Sequence, residues 1–134
     1  HGACCCRCVR AAKLEDLIVY TRALAAAHKI SALARAGTLS KDFKLRQQLE
    51  AASSSVVARI SEGFGQSTDR AFAYYLSIAR GSGNETRTHL AVARGRQQLP
   101  EEAFADVDRD YDEIGRMLTS LRNYLARANR RSRG

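Results

Sequence analysis

The sequence predicts an all-α protein, an antiparallel up-down four-helix bundle, and three observations lead there. A single proline, Pro100, stands in 134 residues, and proline is the residue that helix interiors tolerate least. The chain is rich in Ala, Leu, Arg, Glu and Gln, which lose little on entering a helix. Apolar side chains also recur at three- and four-residue intervals in four segments, the spacing that draws one apolar stripe along a helix. With 45% hydrophobic and 27% charged residues, the composition suits one packed core rather than a disordered chain.

The first segment, from about residue 14 to 36, shows Leu14, Leu17, Ile18, Leu24 and Leu33 and closes at Gly37, a natural helix C-cap. The second, about 41 to 62, carries Leu45, Leu49, Ala52, Val56 and Ile60 around the run Ser53-Ser54-Ser55. Serine is a poor helix-interior residue, so this run implies a need for small volume or for local hydrogen bonds. The third, about 68 to 98, opens at Ser67 or Thr68, either of which can cap the first free N–H groups. Its seam is Phe72, Leu76, Ala79, Gly83, Thr86, Leu90 and Ala93, flanked by Tyr75, Ile78, Ser82, Glu85, His89 and Val92. The small residues near Gly81 and Gly83 predict close approach by a neighbouring helix, or a bend.

The fourth segment is the clearest. Phe104, Val107, Tyr111, Ile114, Leu118, Leu121 and Leu125 alternate spacings of three and four without a miss. Pro100, Glu101 and Glu102 mark its start, since proline fits a first turn and carboxylates there oppose the positive end of the helix dipole. The bundle is therefore expected over residues 14–128, with short connections that make successive helices antiparallel. Residues 1–13 are expected to form a disordered or non-native tail, and residues 129–134 a basic C-terminal tail.

The net charge is +8, yet residues 14–121 hold 14 basic and 14 acidic side chains. The excess comes from Arg7, Arg10 and Lys13 in front and from Arg122, Arg127, Arg130, Arg131 and Arg133 behind. Such an end is either a solvated tail or an arm that grips phosphates. Cys4, Cys5, Cys6 and Cys8 all fall within the first eight residues, which excludes a disulfide framework, and a second ligand pair for zinc is missing. No apolar run nears the roughly 18 residues of a membrane span, and no leader pattern is evident. No metal, cofactor or membrane is expected, and the expected location is cytoplasmic.

Certain residues carry a more specific pattern. The run Ile60-Ser61-Glu62-Gly63-Phe64-Gly65, then Phe72, then Leu76-Ser77-Ile78-Ala79-Arg80-Gly81-Ser82 and Glu85, resembles the four-helix-bundle proteins encoded in 23S rRNA intervening sequences. The likeness runs from about Asp16 to Leu125, and Asp16-Leu17-Ile18-Val19-Tyr20 joins it with tyrosine where that family often has tryptophan. It departs where the family often shows S-I-P-S-N-I-A-E-G. Here the chain reads Ser55-Val56-Val57-Ala58-Arg59-Ile60-Ser61-Glu62-Gly63, so no polar role passes to Val57 or Arg59. The resemblance implies a homopentamer and, through related accessory proteins of diversity-generating retroelements, a link to RNA, DNA or a reverse transcriptase.

Several residues invite functional readings. Arg80, Arg87 and Arg94 recur every seven residues, a ladder with about 10 Å between rungs. It would either follow a nucleic-acid backbone or pair with the acids of the fourth segment, and Arg127, Arg130 and Arg131 extend the basic set. Glu85 and His89 lie one helical turn apart, either as a general-base pair or as a polar pair in an interface. Glu62 is expected to tie the second helix to a neighbour, with Arg46 as candidate partner. The Gly63-Phe64-Gly65 and Gly81-Ser82-Gly83 elements lack the strand and lysine of a phosphate loop and read as a turn and a packing notch. No catalytic motif appears, so the expected function is a non-catalytic, oligomeric module that binds nucleic acid through basic surface and tail. The alternative is a protein-interaction scaffold with no nucleic-acid role.

Overall fold

The structure, a computed structural model, describes residues 13–133, except for the side chains of Ser132 and Arg133. Four helices account for most of them: α1 (Ile18–Ala34), α2 (Phe43–Phe64), α3 (Asp69–Gly95) and α4 (Glu101–Arg133). Short 3₁₀ turns at Leu14–Asp16 and Thr38–Lys41 precede α1 and α2. Each helix runs antiparallel to the next, and α4 closes the bundle against α1. The four cysteines, Arg7 and Arg10 lie outside the described residues.

The stripes of the last three helices become the core. All seven seam residues of α3 are buried, as are Leu45, Leu49, Ala52, Val56 and Ile60 of α2. On α4, Val107, Tyr111, Ile114, Leu118 and Leu125 are buried, with Phe104 and Leu121 packed at the margin. The α3 flank is drier on one side than the other: Tyr75, Ile78, Ser82 and His89 are half-buried, whereas Glu85 and Val92 are exposed.

The first helix departs from expectation. Its buried face is Val19, Ala23, Ala26, Ile30 and Ala34, with Leu17 just ahead of it. Ile18 stays 60% exposed, and Leu14, Leu24 and Leu33 are only half-buried. The helix ends at Ala34, three residues before Gly37. Gly37 instead adopts φ +57 in the turn toward α2, a backbone region that glycine enters without steric penalty.

Local chemistry sets the other ends. Asp42 caps α2, its Oδ1 accepting from Leu45 N at 3.4 Å. The same carboxylate accepts from Arg96 Nη1 at 2.7 Å and Gln98 Nε2 at 2.9 Å, which fastens the start of α2 to the α3–α4 turn. The Gln98 bond first, and then Arg96, hold its pKa below the ordinary carboxylate value. Thr68 caps α3 by accepting from Ala71 N. Gln97, at φ 56, ends α3 with Gln98 N donating to Ala93 O, the left-handed closure usual at helix ends. Pro100 sits just before α4 rather than within its first turn, and its carbonyl accepts from Phe104 N.

The serine run resolves into local bonds. Ser53 is buried and donates to Glu50 O at 3.0 Å, and Ser55 meets Ser82 across α2 and α3 at 3.0 Å. Opposite them the Tyr111 hydroxyl is buried without a hydrogen bond of normal geometry, and burial pushes its pKa upward.

The expected boundary at residue 128 is absent, because α4 continues as one helix to Arg133. Arg87 against Asp108 and Arg94 against Glu101 fix the antiparallel register of α3 and α4. Carried to the start of α3, that register sets Asp69 level with about residue 126, so α4 outruns α3 by about two turns. The basic segment expected as a tail is therefore a projecting helix end.

Candidate nucleic-acid interface

The arginine ladder of α3 is mostly answered by acids of α4. Arg87 grips Asp108 with two parallel bonds, Nε to Oδ1 at 2.8 Å and Nη2 to Oδ2 at 3.1 Å, and reaches Asp112 at 3.4 Å. Forked pairing of this kind is the strong geometry for a guanidinium, and the Asp108 bond raises the Arg87 pKa. Arg94 pairs with Glu101 at 2.9 Å and lies 4.7 Å from the centre of the Phe104 ring. Arg96 is held by Asp42. Arg80 is exposed and has no partner among the described residues.

The α1–α4 face is likewise paired. Lys29 donates to Asp110 at 2.8 Å and Asp106 at 3.0 Å, and those bonds, Asp110 first, raise its pKa. Arg22 bonds Glu113. Arg35, Lys41, Lys44, Arg70 and Arg109 are exposed at separate places and meet no acid among the described residues, whereas Arg127, Arg130 and Arg131, equally unmatched, stand together on the projecting end of α4. Arg122 reaches only the neutral Asn123.

Arg80 borders an open cleft of about 470 Å³ between α3 and α4. Its α4 wall, which includes Gly115, Arg116, Thr119 and Ser120, was not foreseen from sequence. A glycine inside the apolar rhythm, with hydroxyls one turn later, is the signal that could have pointed there. A second open cleft, between α1 and α2, is lined by small and hydroxyl side chains with His28 and Glu50 at its edge.

The motif residues divide into packing and surface. Gly63 is buried where a Cβ would lie 2.9 Å from both Phe72 Cδ1 and Tyr75 Cβ, so α2 and α3 meet there only because it is glycine. Phe64 then packs edge-on to Phe72 with ring centres 6.2 Å apart, and Gly65 ends α2. Glu62 bonds Arg59 on its own helix rather than Arg46, which instead donates to Ser40 O and lies near Glu50. Contrary to the expected notch, a Cβ at Gly81 or Gly83 would meet nothing within 4 Å, so neither glycine is required for the approach of α2, which touches Ser82 between them through Ser55. His89 Nε2 lies 3.5 Å from Glu85 Oε2, an ion-pair distance without hydrogen-bond geometry. Among the described residues no three His, Cys, Asp or Glu side chains gather as metal ligands, and no helix is long and apolar enough to cross a membrane.

The sequence profile of the 23S rRNA-intervening sequence proteins matches residues 15–120. The chain belongs to that family. The structure is also similar to the crystal structure of a protein of unknown function from the S23 ribosomal protein family of Bacteroides thetaiotaomicron. The two share a TM-score of 0.70 at 24% identity, over 77% of this chain and 96% of the other. At that identity the likeness concerns the fold. No curated protein matches the sequence. Within the 23S rRNA-intervening sequence family, the Glu62–Gly65 element of this chain is thus a helix junction. The unbroken α2 through Val57 follows from the lack of proline there.

Proposed function

We infer that this member of the family is a non-catalytic, cytoplasmic module that holds RNA or DNA by its phosphate backbone, without reading sequence. The observation that carries the reading is the division among its arginines. Arg87, Arg94 and Arg96 are matched by carboxylates, while Arg80, Arg127, Arg130 and Arg131 are exposed and unmatched among the described residues. Unmatched cations on a chain of net charge +8 release condensed counterions when they meet phosphates, which is the main source of sequence-independent affinity. Aromatic rings are few among these arginines, so stacking on bases contributes little. Titration with a labelled RNA across a salt series tests this reading. Log K should fall linearly with log salt, and deletion of residues 127–134 should flatten the slope. A flat slope for the full chain, or no binding at low salt, overturns it.

A second reading, a protein-interaction scaffold, is favoured by the exposed Ile18, Phe43 and Tyr74, the last 64% exposed. On either reading the chain assembles with itself, as the homopentamer that the sequence resemblance implies; on this one its further partner is a reverse transcriptase or other protein, and no nucleic acid is held. Light scattering at five chain masses is expected on both readings, and recovery of one protein partner after nuclease treatment is the result that favours the second.

A further inference from the structure

Building on the nucleic-acid reading, we propose that the cleft between α3 and α4 seats one backbone phosphate of the bound strand, with Arg80 as its anchoring cation. The lining carries three guanidinium groups, Arg80, Arg87 and Arg116, against one carboxylate, Asp112. Asp112 is already shared, taking Arg116 Nη2 at 2.9 Å and Arg87 Nη1 at 3.4 Å. Arg87 is further fixed by Asp108. Two of the three arginines are thereby held in place, and the third is free to turn toward an anion entering from solvent. A guanidinium presents the flat fork that matches phosphate oxygens.

The neutral lining fits the same ligand. Asn84, Thr119 and Ser120 border the cleft, and their side chains make no hydrogen bond among the described residues. They offer amide and hydroxyl donors of the kind that position a phosphate without reading a base. Gly115 keeps the α4 wall low: a Cβ there would meet nothing within 4 Å, so no neighbour in the chain requires the glycine. Interior glycine costs about 1 kcal/mol relative to alanine, and open space for a ligand gives that residue a reason. The cleft also leads somewhere. Arg116 and Arg127 are eleven residues apart, which is about three turns or 16 Å, so they share one face of α4. A strand seated at Arg80 can run along that face to Arg127, Arg130 and Arg131.

The test uses the full chain and a fluorescein-labelled oligouridylate of about 20 nucleotides, longer than a single-domain site. Arg80→Gln is compared with Arg35→Gln, which removes the same charge from an exposed position at the end of α1, outside the cleft and away from the α4 face that carries Arg116 and Arg127. Arg80→Gln should weaken binding about tenfold and lower the salt slope by about 0.7, with Arg35→Gln much closer to the parent. Ser120→Glu, which sets a carboxylate in the cleft without touching the core, should weaken binding further at unchanged helix content. If Arg80→Gln and Arg35→Gln weaken binding equally, or Ser120→Glu leaves it intact, the cleft is not the seat of the phosphate. If deletion of residues 127–134 still weakens binding in that case, the broader nucleic-acid reading stands without it. Failure of the unaltered chain to bind the oligonucleotide at low salt overturns both.

Discussion

Gly63 and Gly83 are both buried within helices, and for opposite reasons. At Gly63 an added methyl would collide with Tyr75 Cβ at 2.9 Å. That atom is fixed to the α3 backbone and cannot rotate away, so α2 and α3 would have to part. Gly63→Ala is expected to destabilise by about 1–3 kcal/mol, the usual range for overpacking. At Gly83 the methyl would meet nothing within 4 Å, and alanine removes the backbone entropy that glycine loses in a helix. Gly83→Ala is expected to stabilise by about 0.5–1 kcal/mol. Urea unfolding followed by circular dichroism reads both changes, and the opposite signs separate packing from backbone effects. From sequence the two glycines look alike, since each sits in a helical segment beside other small residues; only the position of the facing helix distinguishes them.

At the scale of the element, Asp42 joins three helices by capping α2 and binding Arg96 and Gln98 of the α3–α4 turn. Its folded pKa is lowered, so its contribution is present above the unfolded carboxyl value and is lost as pH falls through the folded one. The thermal midpoint should decline below the ordinary carboxylate range, and Asp42→Asn should lower the midpoint at neutral pH while making it less sensitive to acid. How far an element could be read in advance depended on its side chains. In α3 and α4 the buried positions are bulky and strictly spaced, so Phe72, Leu76 and Leu90, or Val107 through Leu125, announce the inner face. In α1 the inner face is largely Ala23, Ala26 and Ala34, and alanine is equally at home inside and outside a helix. The larger Ile18 drew attention to a side that proves to face water.

The whole molecule places its charges in a way that no single segment reveals. The seven-residue spacing of Arg80, Arg87 and Arg94 was legible, but which of them are matched depends on how α3 and α4 slide past one another. That register leaves Arg80 over a cleft and lets α4 project, and neither feature has a local signature in the sequence. The alanine face of α1 bears on how the bundle comes apart. Small side chains remove little apolar surface from water, so α1 adheres through less of the hydrophobic term than its neighbours do. Much of its outer grip is the polar seam of Lys29 and Arg22 with Asp106, Asp110 and Glu113. Hydrogen–deuterium exchange should find the amides of α1 opening first, well before those of α3, and faster again when salt weakens that seam. The bundle would then behave as a three-stranded trunk with one detachable stave, fastened by ions along its edge more than by oil along its length.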